Sequence, residues 1–196
     1  MTQDLFLAFA AFCVGSSATP GPNNLMLMAS GANFGLQRTV PHVLGVSGGF
    51  TFMIVLVGIG LAQVFETFPV AHTILKVVSV IYLLYLAWKI ATAAAPVASR
   101  GEGKPLTFLQ AAAFQWVNPK AWSMALTAVT VYNPVHSLPA VILTAAIFGA
   151  INLPTCSAWI ILGRQAARWL TSRARLRAFN GAMATLLVAS LWPVLA

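Results

Sequence analysis

Six apolar runs, each approaching the length of a membrane-crossing helix, divide this chain, and its charges collect in the gaps between them. A hydrocarbon core takes roughly 20 apolar residues per helix. By that yardstick the runs lie near 5–30, 40–62, 74–94, 106–131, 138–162 and 179–195. Eleven basic and three acidic side chains among 196 residues cannot dress a folded surface for water, since an ordinary soluble domain is about 25% charged. The exterior must therefore face lipid. Six Trp, twelve Phe and three Tyr can furnish the aromatic belts that anchor helix ends at headgroup level. The third run is the clearest: Val77 to Ala87 carries no charge, and Tyr85-Leu86-Ala87-Trp88-Lys89 closes it as an interface anchor.

The basic balance, with a pI near 10.4, would suggest nucleic acid in a soluble protein. Here the cations lie between apolar runs, as the positive-inside rule requires, so no nucleic-acid partner is expected. Arg38, Lys89, Arg100, Lys104, Arg164, Arg168, Arg173, Arg175 and Arg177 fall on one side, and Lys76 alone on the other. Nine against one assigns that side to the cytoplasm. The arginines of 164–177 read as a topological anchor on anionic headgroups. Met1-Thr2-Gln3-Asp4 lacks the positive charge of a signal peptide, so the first run reads as a retained span. If that run re-enters instead of crossing, the N-terminus turns inward and the remaining topology stands.

Two interruptions stand out. The first run contains Thr19-Pro20-Gly21-Pro22-Asn23-Asn24 and the fourth contains Gln115-Trp116-Val117-Asn118-Pro119-Lys120. Proline removes a backbone donor and clashes with the preceding turn. In hydrocarbon the freed groups are tolerated only where protein or a wet cavity satisfies them. A single proline usually just kinks a helix for packing. Pro20 and Pro119, however, lie 99 residues apart at similar depth in the first span of each three-span half. Three is odd, so the second half enters from the opposite side, and matched breaks in inverted repeats point to a transporter's midplane site. The expected architecture is an all-α membrane protein with six transmembrane helices in two inverted repeats, 1–98 and 99–196, with helices one and four broken.

Lys120 sharpens that expectation. A cation at mid-membrane costs about 2.5–3.5 kcal/mol on insertion scales and usually has a function, although a lysine stem can also snorkel to an interface. Its expected task is to meet a substrate carboxylate or to titrate during transport. Asp4, Glu66 and Glu102 all map to ends or loops, so no acidic proton relay is visible. The candidate substrate-binding set is Pro20, Gly21, Pro22, Asn23, Asn24, Gln115, Asn118, Pro119 and Lys120. Asn152 and Thr155 join it by flanking Pro154, where a further local break is expected. Gly45 and Gly49 form a Gly-x-x-x-Gly pair that reads first as close helix packing, and also as a surface for a homodimer.

The ordered set Thr19-Pro20-Gly21-Pro22-Asn23-Asn24, Leu44-Gly45-Val46-Ser47-Gly48-Gly49, Tyr82 through Lys89 and Asn118-Pro119-Lys120 resembles the lysine-exporter/homoserine-exporter (LysE/RhtB) family of amino-acid efflux proteins. The resemblance covers roughly the first two-thirds of the chain. It implies six hydrophobic segments, an inner-membrane location and efflux of amino acids driven by the proton gradient, without a cofactor. Many members carry an acidic residue where this chain has Asn23, and a histidine in the second span where it has Phe50 to Met53. The Pro-Gly-Pro-Asn-Asn form looks more like the branch exporting cysteine and O-acetylserine, which implies small neutral substrates.

Two readings from other classes compete. Gly45-Val46-Ser47-Gly48 matches the Gly-x-Ser-Gly pattern of an intramembrane protease, but a nucleophile needs a positioned base. His42 lies five residues earlier, and His72 and His136 sit at opposite-side loops, so no enzyme is expected. Cys13 and Cys156, both within apolar runs, would suit an intramembrane thiol-redox carrier. Free cysteine is also a common small core residue, and neither position suggests a disulfide framework.

Overall fold

The computed structural model describes residues 1–61, 67, 69–93, 103–133 and 137–192. Arg100, Glu66, Glu102, His136 and the 98/99 boundary between the expected halves lie outside the described residues. Among the described residues all regular structure is helical. The α-helices are α1 (Gln3–Ala18), α2 (Pro22–Phe34), α3 (Leu36–Leu56), α4 (Pro69–Ala91), α5 (Phe108–Phe114), α6 (Pro119–Thr130), α7 (Leu138–Ala167) and α8 (Arg173–Ala189). A π-helical turn, Val57–Leu61, prolongs α3, and a 3-10 turn, Gln115–Val117, joins α5 to the α6 break.

Three of these elements are long and apolar enough to cross a bilayer: Leu36–Leu61, Thr73–Ala91 and Leu138–Ala167. A fourth appears if α1 and α2, bent by 54° at their break, count as one span. The other two expected spans differ from a plain apolar rod for physical reasons. The run 106–131 is cut into α5, the 3-10 turn and α6 by its proline motif. The last helix has only 17 residues and begins with Arg173, Arg175 and Arg177. Pro154 does not break α7, which runs through it without interruption.

Local sequence explains the remaining boundaries. Gly35, at φ 78°, turns the chain between α2 and α3 within one residue, a conformation that only glycine adopts cheaply. Gly60, at φ 116°, does the same inside the π turn. Thr107 and Gln110 form a reciprocal capping box at the start of α5, satisfying two amides that would otherwise be orphaned.

Packing follows an exchange pattern. Helices α1 and α2 lie against α7, while α5 and α6 lie against α3; α3 meets α7, and α4 meets α8. Glycines set the closest approaches. A Cβ at Gly163 would strike the Met28 carbonyl, and one at Gly31 the Ile160 carbonyl, so α2 and α7 touch backbone to backbone. Gly45 and Gly49 meet Phe108, Ala111 and Ala112 of α5 in the same way. The chain's own α5 therefore covers the Gly-x-x-x-Gly seam, which removes it as a dimer surface.

One end of the bundle gathers the basic residues. The Arg38 guanidinium donates to the Gly103 carbonyl at 2.9 Å and lies over the Phe34 ring. The Asn180 amide of α8 donates to the Ala93 carbonyl, beside Lys89 and the end of α4. Lys76, thirteen residues before Lys89 on α4, sits about 20 Å away along that axis. The lateral surface is apolar, with Ile81 63% and Leu109 75% exposed. Trp88 and Trp169 mark the basic end as exposed aromatic rings. Such a surface is stable against acyl chains and not against water.

Replacing Gly163 by Leu should force α2 from α7 and destabilise the protein by about 1–3 kcal/mol, the usual cost of overpacking. Gly181→Ala, whose methyl would meet nothing within 4 Å, should stay within about 0.5 kcal/mol. Thermal unfolding in detergent measures both.

Candidate functional site

The two interruptions meet. Asn23, at the start of α2, and Gln115, in the 3-10 turn, exchange a pair of amide hydrogen bonds across 92 residues of sequence, at 2.8 and 3.1 Å. Gln115 is completely buried, and its amide also donates to the Ala111 carbonyl. A buried carboxamide paired in this way fixes the register of the two breaks.

Asn24 repairs the first break. Its amide nitrogen donates to the carbonyls of Ser17, at 2.6 Å, and Thr19, at 2.9 Å. Those acceptors would be orphaned in hydrocarbon, because the chain leaves α1 at Ala18 and Pro22 opens α2. Asn118 repairs the second. Its side-chain oxygen accepts from the Lys120 backbone amide at 3.2 Å and caps α6, with Pro119 preorganised at the first helical position.

Lys120 bridges the two. Its ammonium Nζ donates to the Thr19 carbonyl at 2.7 Å, and its stem lies across Gly21. A Cβ at Gly21 would come within 2.7 Å of Lys120 Cδ, so glycine makes room for the lysine. Snorkelling to a headgroup is therefore not what the side chain does. Its head is held by backbone of the opposite broken helix.

These groups line a small chamber of about 20 Å³. Of the residues singled out in the sequence, Gly21, Asn23, Asn24, Asn118, Lys120 and Asn152 line it. Pro20, Pro22, Gln115 and Pro119 shape the breaks without lining the chamber. Thr155 donates its hydroxyl to the Ile151 carbonyl at 2.8 Å and also lies off the lining. The sequence did not single out Ser16, Ser17, Phe50, Ala121 and Met124, nor Cys156 in this role. They come from helix faces whose orientation no local motif announces. The Ser17 hydroxyl is buried and has no partner among the described residues.

The rival chemistries find no such convergence. Ser47 donates only to the Gly149 carbonyl, at a long 3.4 Å, and His42 Nδ1 lies 3.1 Å from the Ser30 hydroxyl instead. Cys13 is free among Phe9, Phe50 and Phe148, whereas Cys156, also free, sits 3.3 Å from Asn152 Oδ1.

A family model described as "LysE type translocator" matches residues 14–190. The chain belongs to the LysE type translocator family. It is a multi-pass transporter of the inner membrane and not an enzyme. Among curated relatives, proteins from Escherichia coli, Shigella sonnei and Shigella flexneri described as cysteine/O-acetylserine efflux proteins are each 32% identical over 134 residues. That stretch is 67% of this chain and 67% of each relative. No solved structure matches. Membership settles the thiol-redox alternative in favour of transport.

The Asn23–Gln115 pair gives a direct test. Asn23→Ala strands a buried amide and should cost about 1–3 kcal/mol. The Asn23→Ala/Gln115→Ala double variant should cost clearly less than the two single changes together, and a thermal-unfolding double-mutant cycle reads that coupling.

Proposed function

We propose that this chain exports small neutral amino acids by alternating access around the Lys120 chamber, with cysteine and O-acetylserine as leading candidates. The observation that carries the proposal is the Lys120 ammonium spanning from one broken helix to the Thr19 carbonyl of the other. A site built from both breaks changes shape whenever the two halves move.

The finer architecture belongs to the same proposal: six crossings in two inverted halves, 1–98 and 99–196. The exchange pattern of packing supports it, because α1 and α2 against α7 mirrors α5 and α6 against α3. Homodimerisation stays a proposal without an assigned surface.

The substrate's chemistry follows from the lining. A carboxylate takes the place of the Thr19 carbonyl on Lys120, helped by the amide-rich start of α2. The carboxamides of Asn24, Asn118 and Asn152 and the unpartnered Ser17 hydroxyl supply neutral hydrogen bonds. Those partners suit a short polar side chain and give no anion to a second cation, which disfavours lysine-like substrates. The 32% identical efflux proteins support the same size class.

The chamber is too small for substrate in this conformation. About 20 Å³ holds a water, which needs roughly 10–15 Å³ by this measure, and not an amino acid. Binding therefore requires α2 and α6 to part, which breaks the Lys120 bridge. The proton gradient is the proposed driving force.

Efflux from vesicles preloaded with O-acetylserine tests the reading. Lys120→Ala should lower the rate more than tenfold, and Asn118→Ala should lower it measurably. Unchanged rates in both variants would remove this chamber from the mechanism. A protonophore should abolish transport against a gradient, and preloaded lysine should leave slowly or not at all.

A further inference from the structure

A second cavity, larger than the first, lies at the basic end and is not explained by the Lys120 chamber. Its volume is about 90 Å³, against about 20 Å³ for the chamber. It opens between the C-terminal half of α2, the start of α3, the end of α4 and the segment 104–106. Ser30 is six residues beyond Asn24 on α2, so the two spaces are offset by about 9 Å along that helix. Buried Leu25, Met26, Leu83, Leu86, Phe114 and Leu187 pack in one apolar cluster beside that stretch of α2, and Met26 and Leu86 also line the second cavity.

The polar lining has a definite character. Lys89 and Lys104 contribute two cations, and among the described residues no acidic side chain lines the cavity. Lys89 has its ammonium 5.7 Å from the Tyr85 ring centroid and makes no side-chain hydrogen bond among the described residues. His42 is 1% exposed; its Nδ1 meets the Ser30 hydroxyl, while its Nε2 has no partner among the described residues. Asn33 donates from Nδ2 to the Ala29 carbonyl and to Asn180 Oδ1. Its own Oδ1 is buried without a donor among the described residues. Buried polar atoms without partners are rare in folded proteins and call for a ligand, an ion or a structural reason.

We propose that this cavity is a capture site for α-amino-acid zwitterions on the cytoplasmic face, visited before the Lys120 chamber. The two lysines take the carboxylate, and the unpaired Asn33 Oδ1 accepts from the ammonium, with His42 Nε2 beside it as a further hydrogen-bonding atom. Lys89 and Lys104 also attract anions from bulk solvent, raising the local concentration of carboxylates at the mouth. The order of the two sites rests on the transport reading, whereas binding at this one does not.

Site-directed labelling tests the proposal. Ala29→Cys, in a chain carrying Cys13→Ser and Cys156→Ser, places a single thiol on the cavity wall. The protein is reconstituted in phosphatidylcholine vesicles with its basic face outward and treated with a membrane-impermeant sulfonate-bearing methanethiosulfonate. Millimolar O-acetylserine should slow labelling at least threefold, and ethanolamine, which lacks the carboxylate, should not. Lys89→Gln with Lys104→Gln should abolish the protection. Ala93→Cys, at the rim, gives the same readout should Ala29→Cys fail to assemble.

Absence of protection, equal protection by ethanolamine, or protection that survives loss of both lysines would overturn the assignment. Slowing by added phosphatidylglycerol with no effect of O-acetylserine would do so as well, by making the cavity a lipid-headgroup site. Protection without efflux would retire the transport reading and leave this site standing. Efflux without protection would retire this site alone.

Discussion

The Thr19 carbonyl, left without a helical donor where α1 ends, accepts from both the Asn24 amide and the Lys120 ammonium. An unsatisfied backbone group in hydrocarbon costs several kcal/mol, so a helix cannot simply stop at mid-membrane. Here the break is made tolerable by one side chain from its own second half and one from a helix a hundred residues away. The consequence runs in both directions. Lys120 finds a partner for a charge that lipid would reject, and the broken helix finds a donor that water would otherwise supply.

That mutual dependence organises the packing around it. Gly21 must lack a Cβ for the lysine stem to pass. Asn23 and Gln115 must pair for the two breaks to stand in register. The backbone contact of α2 with α7, set by Gly31 and Gly163, then fixes where the second half of the broken span can lie. Small residues suit these places because lipid provides no hydrophobic drive between helices, so association depends on close approach and interhelical hydrogen bonds.

Much of this was legible in the sequence, and the reasons it was legible are physical. Proline and glycine in an apolar run announce a break because they change backbone chemistry wherever they occur, so Pro20 to Pro22 and Asn118 to Lys120 were visible in one dimension. The apolar runs of 40–62, 74–94 and 138–162 were equally plain, since length and charge alone define a candidate span. Pro154 misled because a single proline can be absorbed within a long helix, and α7 continues through it. Ser17, Phe50 and Cys156 were hidden for a different reason. Which face of an apolar helix looks inward depends on its neighbours, and helices such as α1 and α7 are apolar all round, leaving no periodic signal to read. The reach of Lys120 to Thr19 is likewise a fact of tertiary structure.

An exporter of the proposed kind also has to return empty, and the Lys120 bridge bears on that step. A bare ammonium in a dehydrated chamber would resist closure, because its desolvation cost would have no compensation. The Thr19 carbonyl is a neutral acceptor on the opposing broken helix, so it can hold the ammonium when no carboxylate is present and yield it when one arrives. A fixed aspartate at the same place would bind the lysine too tightly for a single carboxylate to displace. A neutral carbonyl, shared with the Asn24 amide, leaves the competition close enough for a small zwitterion to win. The neutral amides along this chamber are therefore coherent with a carrier that both binds and resets through one exchange of hydrogen-bond partners.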